Sequence, residues 1–287
     1  MKIAVLSDIH GNLTALNAVL NHLDKQEIDK FIIAGDHIVD CPEPNEVLEK
    51  IEKLNAYVIK GNREDYILNY HKGLHDEWSR HKQMAATVWT YNVLDKENLK
   101  YIEKLPEQLN IYLPGTDGIR VVHGSPTNIN EEIFPDKYPE RIEKALNGIK
   151  ETVLICGHTH QPWSRTVYNK LIVNPGSVGV SFNKDNCAEY AVLTWEDNKW
   201  TVSHHQAEYD LKKLEQLFFE RHFMEKCRTW SRLTLQSIKK GENITLDFVK
   251  YVYKLSENMG YGNSKLVPDC IWDLAEELWF EKYDMKN

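Results

Sequence analysis

The chain has 287 residues, 42% hydrophobic and 27% charged, with a formal net charge of −8. That length suits one large α/β domain, or one domain with a modest appendage. The acidic balance disfavours tight, sequence-independent nucleic-acid binding, which relies on counterion release at cationic surfaces, and no apolar run reaches the length of a membrane span or a signal-peptide core.

Lys2–Leu6 is a β-rich run, and after Gly11 and Asn12 the residues Leu13, Leu16, Leu20 and Leu23 recur at helical spacing. Phe31–Ala34 is the next strand, Glu46–Leu54 reads as a helix, and Ala56–Ile59 is a third strand. This order predicts a mainly parallel sheet covered by helices. Residues 65–105 read as helical with no strand signal. They are too long for a simple crossover, and so form a helical insertion or partial lid. Strand signals return at Leu109–Leu113, Arg120–His123, Thr152–Cys156, Leu171–Asn174, Tyr190–Thr194 and Trp200–His204, the last two paired antiparallel through a turn at Glu196–Asn198. The expected fold class is α/β: two packed mixed β-sheets flanked by helices over residues 1–205, with a helical C-terminal extension over residues 206–287. Three apolar stripes mark that extension, at Leu211, Leu214, Leu217 and Phe218, at Phe248, Val252 and Leu255, and at Ile271, Leu274 and Leu278. Aromatic-rich stripes at helical spacing read as core or a subunit contact before nucleobase stacking. The five cysteines, Cys41, Cys156, Cys187, Cys227 and Cys270, form no CxxC pair. They read as buried, reduced thiols of a cytoplasmic protein.

Five short motifs carry the chemistry: Asp8-Ile9-His10, Gly35-Asp36, Gly61-Asn62-Arg63-Glu64, His123-Gly124 and Gly157-His158-Thr159-His160. Each lies at or just past the end of a predicted strand. In an α/β sheet the loops beyond the carboxyl ends of strands meet in one crevice, so these motifs are expected to share a pocket. Singly each is an ordinary turn signal; as an ordered set, turn chemistry does not account for them. Asp, His and Asn ligands suit Mn²⁺, Fe or Zn²⁺ better than Ca²⁺ or Mg²⁺, and the absence of Cys speaks against a structural zinc site. Seven such ligands exceed what one tetrahedral ion takes and suit two ions sharing a carboxylate.

The ordered motifs resemble those of the calcineurin-like metallophosphoesterases over about residues 1–205. The Asn174-Pro175-Gly176-Ser177-Val178-Gly179 stretch is similar to the compact bacterial and archaeal phosphodiesterase branch. The helical tail resembles that of the streptococcal asymmetric diadenosine tetraphosphate hydrolase and phosphodiesterase group. The resemblance implies a binuclear phosphoesterase in which Asp8, His10 and His160 hold one transition-metal ion. Asn62, His123 and His158 would hold the other, and Asp36 would bridge both. It favours Mn or Fe, and makes Asp36, Asn62, Arg63 and His123 the catalytic set. A bridging carboxylate holds two dications about 3.5–4 Å apart, which clamps a phosphoryl group for attack by hydroxide. The expected substrate is a small phosphate ester or nucleotide, with no stable nucleic-acid or membrane partner; the C-terminal helices could join subunits.

Arg63 departs from the phosphatase branch, where the residue after the motif Asn is a His near the leaving group. A guanidinium cannot act as general acid but pairs bidentately with phosphate oxygens. The plainer reading is an ion pair with Glu64 or another acid at the surface. His37 reads as a support behind the site or a surface residue, and Asn12 as a cap of the first helix. His71, His75 and His81 read as surface histidines of the insertion, and His204 and His205 as structural. Ser125 and Ser177 lack a base that would make either a nucleophile. Three alternatives stand beside this reading. A non-enzymatic scaffold of the same fold is disfavoured because every ligand position is filled. A nuclease is disfavoured by the acidic charge. A phosphomonoesterase or phosphoprotein phosphatase is disfavoured by Arg63.

Overall fold

The computed structural model describes residues 1–262 and 265–284. Two five-stranded sheets form its centre. In the first, β1 (Lys2–Leu6), β2 (Lys30–Ala34) and β3 (Ala56–Ile59) run parallel, and β9 (Ala188–Glu196) and β10 (Lys199–Ala207) add antiparallel beside β1 in the order β10-β9-β1-β2-β3. The second has the order β4-β5-β6-β8-β7, from β4 (Gln108–Ile111), β5 (Ile119–Val122), β6 (Val153–Ile155), β7 (Pro162–Val167) and β8 (Lys170–Pro175); β5, β6 and β8 are parallel. The predicted two-sheet α/β fold is therefore observed.

The strand period explains why β1 reads as one continuous apolar run. Ile3 and Val5 point between the sheets, against Ile32, Ile119, Val121 and Ile155. Ala4 and Leu6 point the other way, into a cluster with Ala15, Leu16 and Val19 of α1 (Leu13–Leu23). A strand covered on both faces has no polar side to show. On the far side of the second sheet, Leu154 and Cys156 pack on Ile142, Ala145 and Leu146 of α6 (Pro139–Leu146). The β9–β10 turn puts Asp197 and Asn198 at φ 50° and 55°, the left-handed pair that suits tight hairpins.

Between β2 and β3 lies α2 (Pro44–Glu52), and residues 62–104 form α3 (Asn62–His71), two 3₁₀ turns, α4 (Ala85–Val93) and α5 (Lys96–Lys104), so the insertion is helical as predicted. β7 was not foreseen: PWSRTV begins with Pro and is mostly exposed, an edge strand without visible alternation. Nor was α6, a short helix in a polar stretch.

After Ala207 come α7 (Leu211–Glu220), α8 (Phe223–Lys226), α9 (Arg228–Lys240), α10 (Ile244–Asn258) and α11 (Asp269–Asp284). The three-stripe reading passed over α8, a single turn buried at Phe223, and α9, whose buried face is built of Ser and Thr as much as of leucine. In α11 the buried residues are Ile271, Trp272, Ala275 and Phe280, whereas Leu278 is exposed, because Trp272 claims the inward face against Phe248. Leu214, Phe218 and Phe223 are buried against Ile38, Leu48 and Leu68 of the α/β body. The tail also grips the insertion: Trp230 Nε1 donates to Gln83 O at 2.9 Å and Gln83 Nε2 donates to Tyr253 Oη at 3.1 Å. Four cysteines are buried, but Cys270 is exposed, contrary to the reading of all five as interior thiols. Among the described residues no helix is long and apolar enough to cross a membrane.

Candidate metal centre

The motif loops leave the carboxyl ends of β1, β2, β3, β5 and β6 and converge between the sheets. Asp8 and His10 follow β1, Asp36 follows β2, and Asn62 opens α3 just after β3. His123 follows β5, and His158 and His160 follow β6. Asp8, His10, Asp36, His158 and His160 all have φ between 52° and 66°, the left-handed region that costs a non-glycine residue about 1–3 kcal/mol. Loop-to-loop hydrogen bonds hold them there, including Asp8 N to Gly35 O and His10 N to Asp36 O, each 3.0 Å. Close approach fixes two glycines. A Cβ on Gly61 would strike Asp36 Oδ1 and one on Gly157 would strike Ser7 Oγ, so the motif glycines let neighbouring loops touch.

Two facing groups result, Asp8-His10-His160 and Asp36-His123-His158. Each aspartate uses one oxygen to hold a loop and turns the other inward. Asp8 Oδ2 accepts from His158 N at 3.1 Å, and Asp36 Oδ1 accepts from Arg63 N at 2.8 Å. Asp8 Oδ1 is buried without a hydrogen-bond donor. Asp36 Oδ2 lies between the groups, 3.9 Å from His10 Nε2 and 3.3 Å from His123 Nε2. The histidines are oriented from behind: His123 Nδ1 donates to Ala34 O at 2.8 Å and His160 Nδ1 to Val180 O at 2.6 Å. In the neutral imidazoles this leaves the Nε2 lone pairs facing inward. There His160 Nε2 meets His10 Nε2 at 3.1 Å and Asp8 Oδ1 at 3.3 Å, and His123 Nε2 meets Asn62 Oδ1 at 3.0 Å. A buried cluster of acceptors aimed at one another is a poor hydrogen-bonding arrangement and a good ligand set. The residues present fit two transition-metal ions.

The electrostatics agree. Burial pushes the Asp8 carboxyl up, but the imidazoles of His160 and His123 outweigh it and hold it at about 2. Burial likewise opposes, and His123 overrides, to keep Asp36 well below the usual carboxylate range. In return burial lowers His123, yet Asp36 and Asp8 draw it up to about 10, and Asp8 raises His160 against the same opposition. His158, desolvated and beside His123, drops to about 4. The carboxylates thus pull positive charge into the centre, a demand that cations meet as well as protons do.

Two carboxylates prove central, Asp40, which lies outside every motif, and Glu64, which was read only as a partner for Arg63. Asp40 Oδ2 accepts from Arg63 Nη2 at 2.8 Å and lies 3.2 Å from His10 Nδ1, so it links a candidate ligand to the guanidinium. Its only sequence signal was an acid four residues past Asp36, inseparable from turn chemistry. Glu64, fully buried, accepts from the backbone nitrogens of Gly61 (2.7 Å), His37 (2.8 Å), Asp36 (3.0 Å) and Ile38 (3.3 Å). A glutamate at the third position of α3 is a capping-box signal that could have been read. Arg63 does pair with an acid, as the plainer reading allows, but the acid is Asp40 at the cleft wall and not Glu64. His37 is buried rather than on the surface, and its Nε2 donates to Ile59 O at 2.8 Å. Asn12 caps α1 as predicted, accepting from Ala15 N at 3.0 Å. Phe182 stacks on His160 with ring centroids 4.9 Å apart. His75 stacks on Trp78, and His204 Nε2 donates to Asn174 O at 3.0 Å.

The centre opens into a cleft of about 240 Å³, bounded by Arg63, His158 and His160 below and by Trp230, Thr234 and Leu246 of the tail above. Residues 1–198 match the calcineurin-like phosphoesterase superfamily domain. The chain is 32% identical over 226 residues to the uncharacterized protein MJ0912 of Methanocaldococcus jannaschii, covering 74% of this chain and 89% of that one. A metallophosphoesterase from Sphaerobacter thermophilus is similar in structure, with TM-score 0.67 and 27% identity over 84% of this chain and all of the other. So is the hypothetical protein PH1004 from Pyrococcus horikoshii, with TM-score 0.70 and 26% identity over 81% and 97% of the two chains. With that match over its α/β body and two facing ligand groups at its centre, the chain belongs to the calcineurin-like phosphoesterase superfamily, and so to the metal-dependent phosphoester hydrolases.

Proposed function

We propose that the chain is a two-metal phosphodiesterase or nucleotide pyrophosphohydrolase that cleaves small phosphodiesters or dinucleoside polyphosphates of the diadenosine tetraphosphate type. Asp8, His10 and His160 would hold one ion and Asn62, His123 and His158 the other, with Asp36 shared between them; the mixed donors suit Mn or Fe, with Zn admissible. When bound, two such ions supply hydroxide at neutral pH and neutralise charge on the phosphoryl group during in-line displacement. The rest falls to the chain. Arg63, its guanidinium held by Asp40 at the cleft wall, pairs with phosphate oxygens and stabilises the charge that grows on them.

Arg63 is the observation that carries this reading. It occupies the position beside the centre from which a general acid would act, and burial notwithstanding, the carboxylates of Asp40 and Asp36 raise its pKa still further. It cannot protonate a leaving group, so turnover favours groups that depart unprotonated, such as a nucleotide phosphate or an aryl oxide. The cleft volume and the net charge of −8 favour a small substrate over a nucleic acid.

The test is a rate comparison with Mn²⁺-loaded enzyme on diadenosine tetraphosphate, bis(4-nitrophenyl) phosphate, 4-nitrophenyl phosphate and a phosphoserine peptide. The first two should be turned over best, and Arg63→His should improve use of the phosphoserine peptide. Phosphoserine hydrolysis as fast as that of the aryl diester would move the protein to the phosphatase branch. Elemental analysis after Mn²⁺ loading and desalting should approach two ions per chain, and one ion undisturbed by Asp36→Asn would contradict the bridge.

A further inference from the structure

A second cavity, about 520 Å³, opens beside the metal cleft and is closed by the insertion on one side and the tail on the other. Both cavities are lined by Asp40, Arg63, Trp230 and Val249, so the Arg63–Asp40 pair is the threshold between them. Beyond it the walls turn aromatic: Tyr66 and Trp78 meet edge to face at 6.0 Å, and Trp230 stands on the tail side. Two polar side chains, Asn69 and Thr87, stand in that wall, and Thr87 is only 3% exposed. Pockets of about 300–1,000 Å³ with apolar walls and a few placed polar groups are the usual form of a small-molecule site.

We infer that this second cavity is a nucleobase subsite, holding the planar heteroaromatic group of a nucleotide whose phosphate lies across Arg63 in the metal cleft. The inference rests on the proposed phosphodiesterase reading for the placement of the phosphate, but the subsite itself stands on the cavity. Tyr66 and Trp230 offer faces and edges for stacking, which is tolerant of base identity, and Trp78, one face of which His75 covers, closes the wall behind them. Asn69 and Thr87 offer donors and acceptors to a base edge. Arg63 sits where base and phosphate join, able to pair with the phosphate that crosses it. A substrate lacking an aromatic group would leave the larger of the two cavities empty.

Two variants separate the subsite from the chemistry. Trp78→Leu removes an aromatic wall of the cavity. Asn69→Trp fills the cavity from a partly exposed position, and so protects the test against a folding defect in the first variant. Equilibrium dialysis of the full-length protein against adenosine, without metal and with ribose as control, reads the subsite alone. Adenosine should bind saturably and ribose should not, and each variant should weaken adenosine binding roughly 5- to 150-fold, which is about 1–3 kcal/mol at 1.4 kcal/mol per tenfold. No saturable adenosine binding, or binding unaltered in both variants, would overturn the proposal. If adenosine binds as expected while the Mn²⁺-loaded protein hydrolyses neither a phosphodiester nor a dinucleoside polyphosphate, the subsite is upheld and the proposed function fails.

Discussion

Replacing Glu64 with Gln tests whether the metal loops depend on one buried carboxylate. Four backbone N–H groups converge on it, two per oxygen: Gly61 at 2.7 Å and Asp36 at 3.0 Å on Oε2, His37 at 2.8 Å and Ile38 at 3.3 Å on Oε1. Glutamine keeps the shape, but its amide nitrogen must face one of the two pairs of donors. Hydrogen bonds to a charged group contribute about 1.5–3 kcal/mol each, so losing two costs roughly 3–6 kcal/mol. That is a large share of the roughly 5–15 kcal/mol by which domains are stable. The same donors hold Asp36 at φ 52°, so the Asp36 carboxylate should be displaced as well. Urea unfolding in chelator should show the lowered midpoint, and Mn²⁺ dialysis of the folded variant should show weakened binding. A Glu64→Gln protein within about 0.5 kcal/mol of wild type, the range of an ordinary surface change, with undiminished Mn²⁺ binding would refute the reasoning.

Asp40→Ala should lower kcat/KM on bis(4-nitrophenyl) phosphate about 10- to 100-fold, the usual cost of removing a residue that orients a ligand, as it frees both His10 and Arg63; steady-state kinetics at saturating Mn²⁺ check it. Phe218→Ala should cost about 3–5 kcal/mol in denaturant unfolding, because Phe218 is fully buried where the tail meets the α/β body. Glu189 is pushed above its ordinary 4.5 by burial, despite bonds from Asn183 and the Ser177 backbone. A folded pKa above the unfolded one gives stability that is present below the unfolded value and lost as pH rises through the folded one. Glu189→Gln should therefore raise the melting temperature at pH 7 relative to wild type, by more than it does at pH 4.

The motif histidines and aspartates were legible because ligand chemistry is written in residue type, and because the strands that carry them are buried on both faces. Lys2–Leu6, Phe31–Ala34 and Thr152–Cys156 announce themselves as strands through unbroken apolar runs, and each motif follows at once. β7 was lost for the opposite reason, since an exposed edge strand of Pro, Ser, Arg and Thr presents no alternation. Asp40 and Glu64 were lost more instructively. Neither is a candidate ligand. Each acts through what it holds, Asp40 through His10 and Arg63, Glu64 through four backbone groups of two loops. A carboxylate that works by position, as Asp40 does, looks in sequence like any other charge in a turn, and Glu64 offered only a helix-start signal that says nothing of the loop it holds.

The tail shows the same boundary from the other side. Its apolar stripes were readable as a buried face, and they are buried, though the true stripe of α11 runs through Trp272 and Ala275 instead of Leu278. What lies over the metal cleft was not readable. Trp78 and Trp230 line one cavity although most of the body lies between them in sequence, and no local period records that they meet. Their meeting follows from two anchors: Phe218 and Phe223 sunk against Leu68, and Gln83, in the cavity wall, bonded across to Tyr253 and to the carbonyl of Lys265. The loops of the α/β body bring the ligands together, and the distance between insertion and tail determines how much of a substrate beyond the phosphate can be enclosed. Substrate range in this chain is therefore expected to follow the insertion–tail contact, and hydrolytic competence the strand-end loops, so changes at Gln83 should alter which ester is cleaved while leaving the ligand geometry around Asp36 intact.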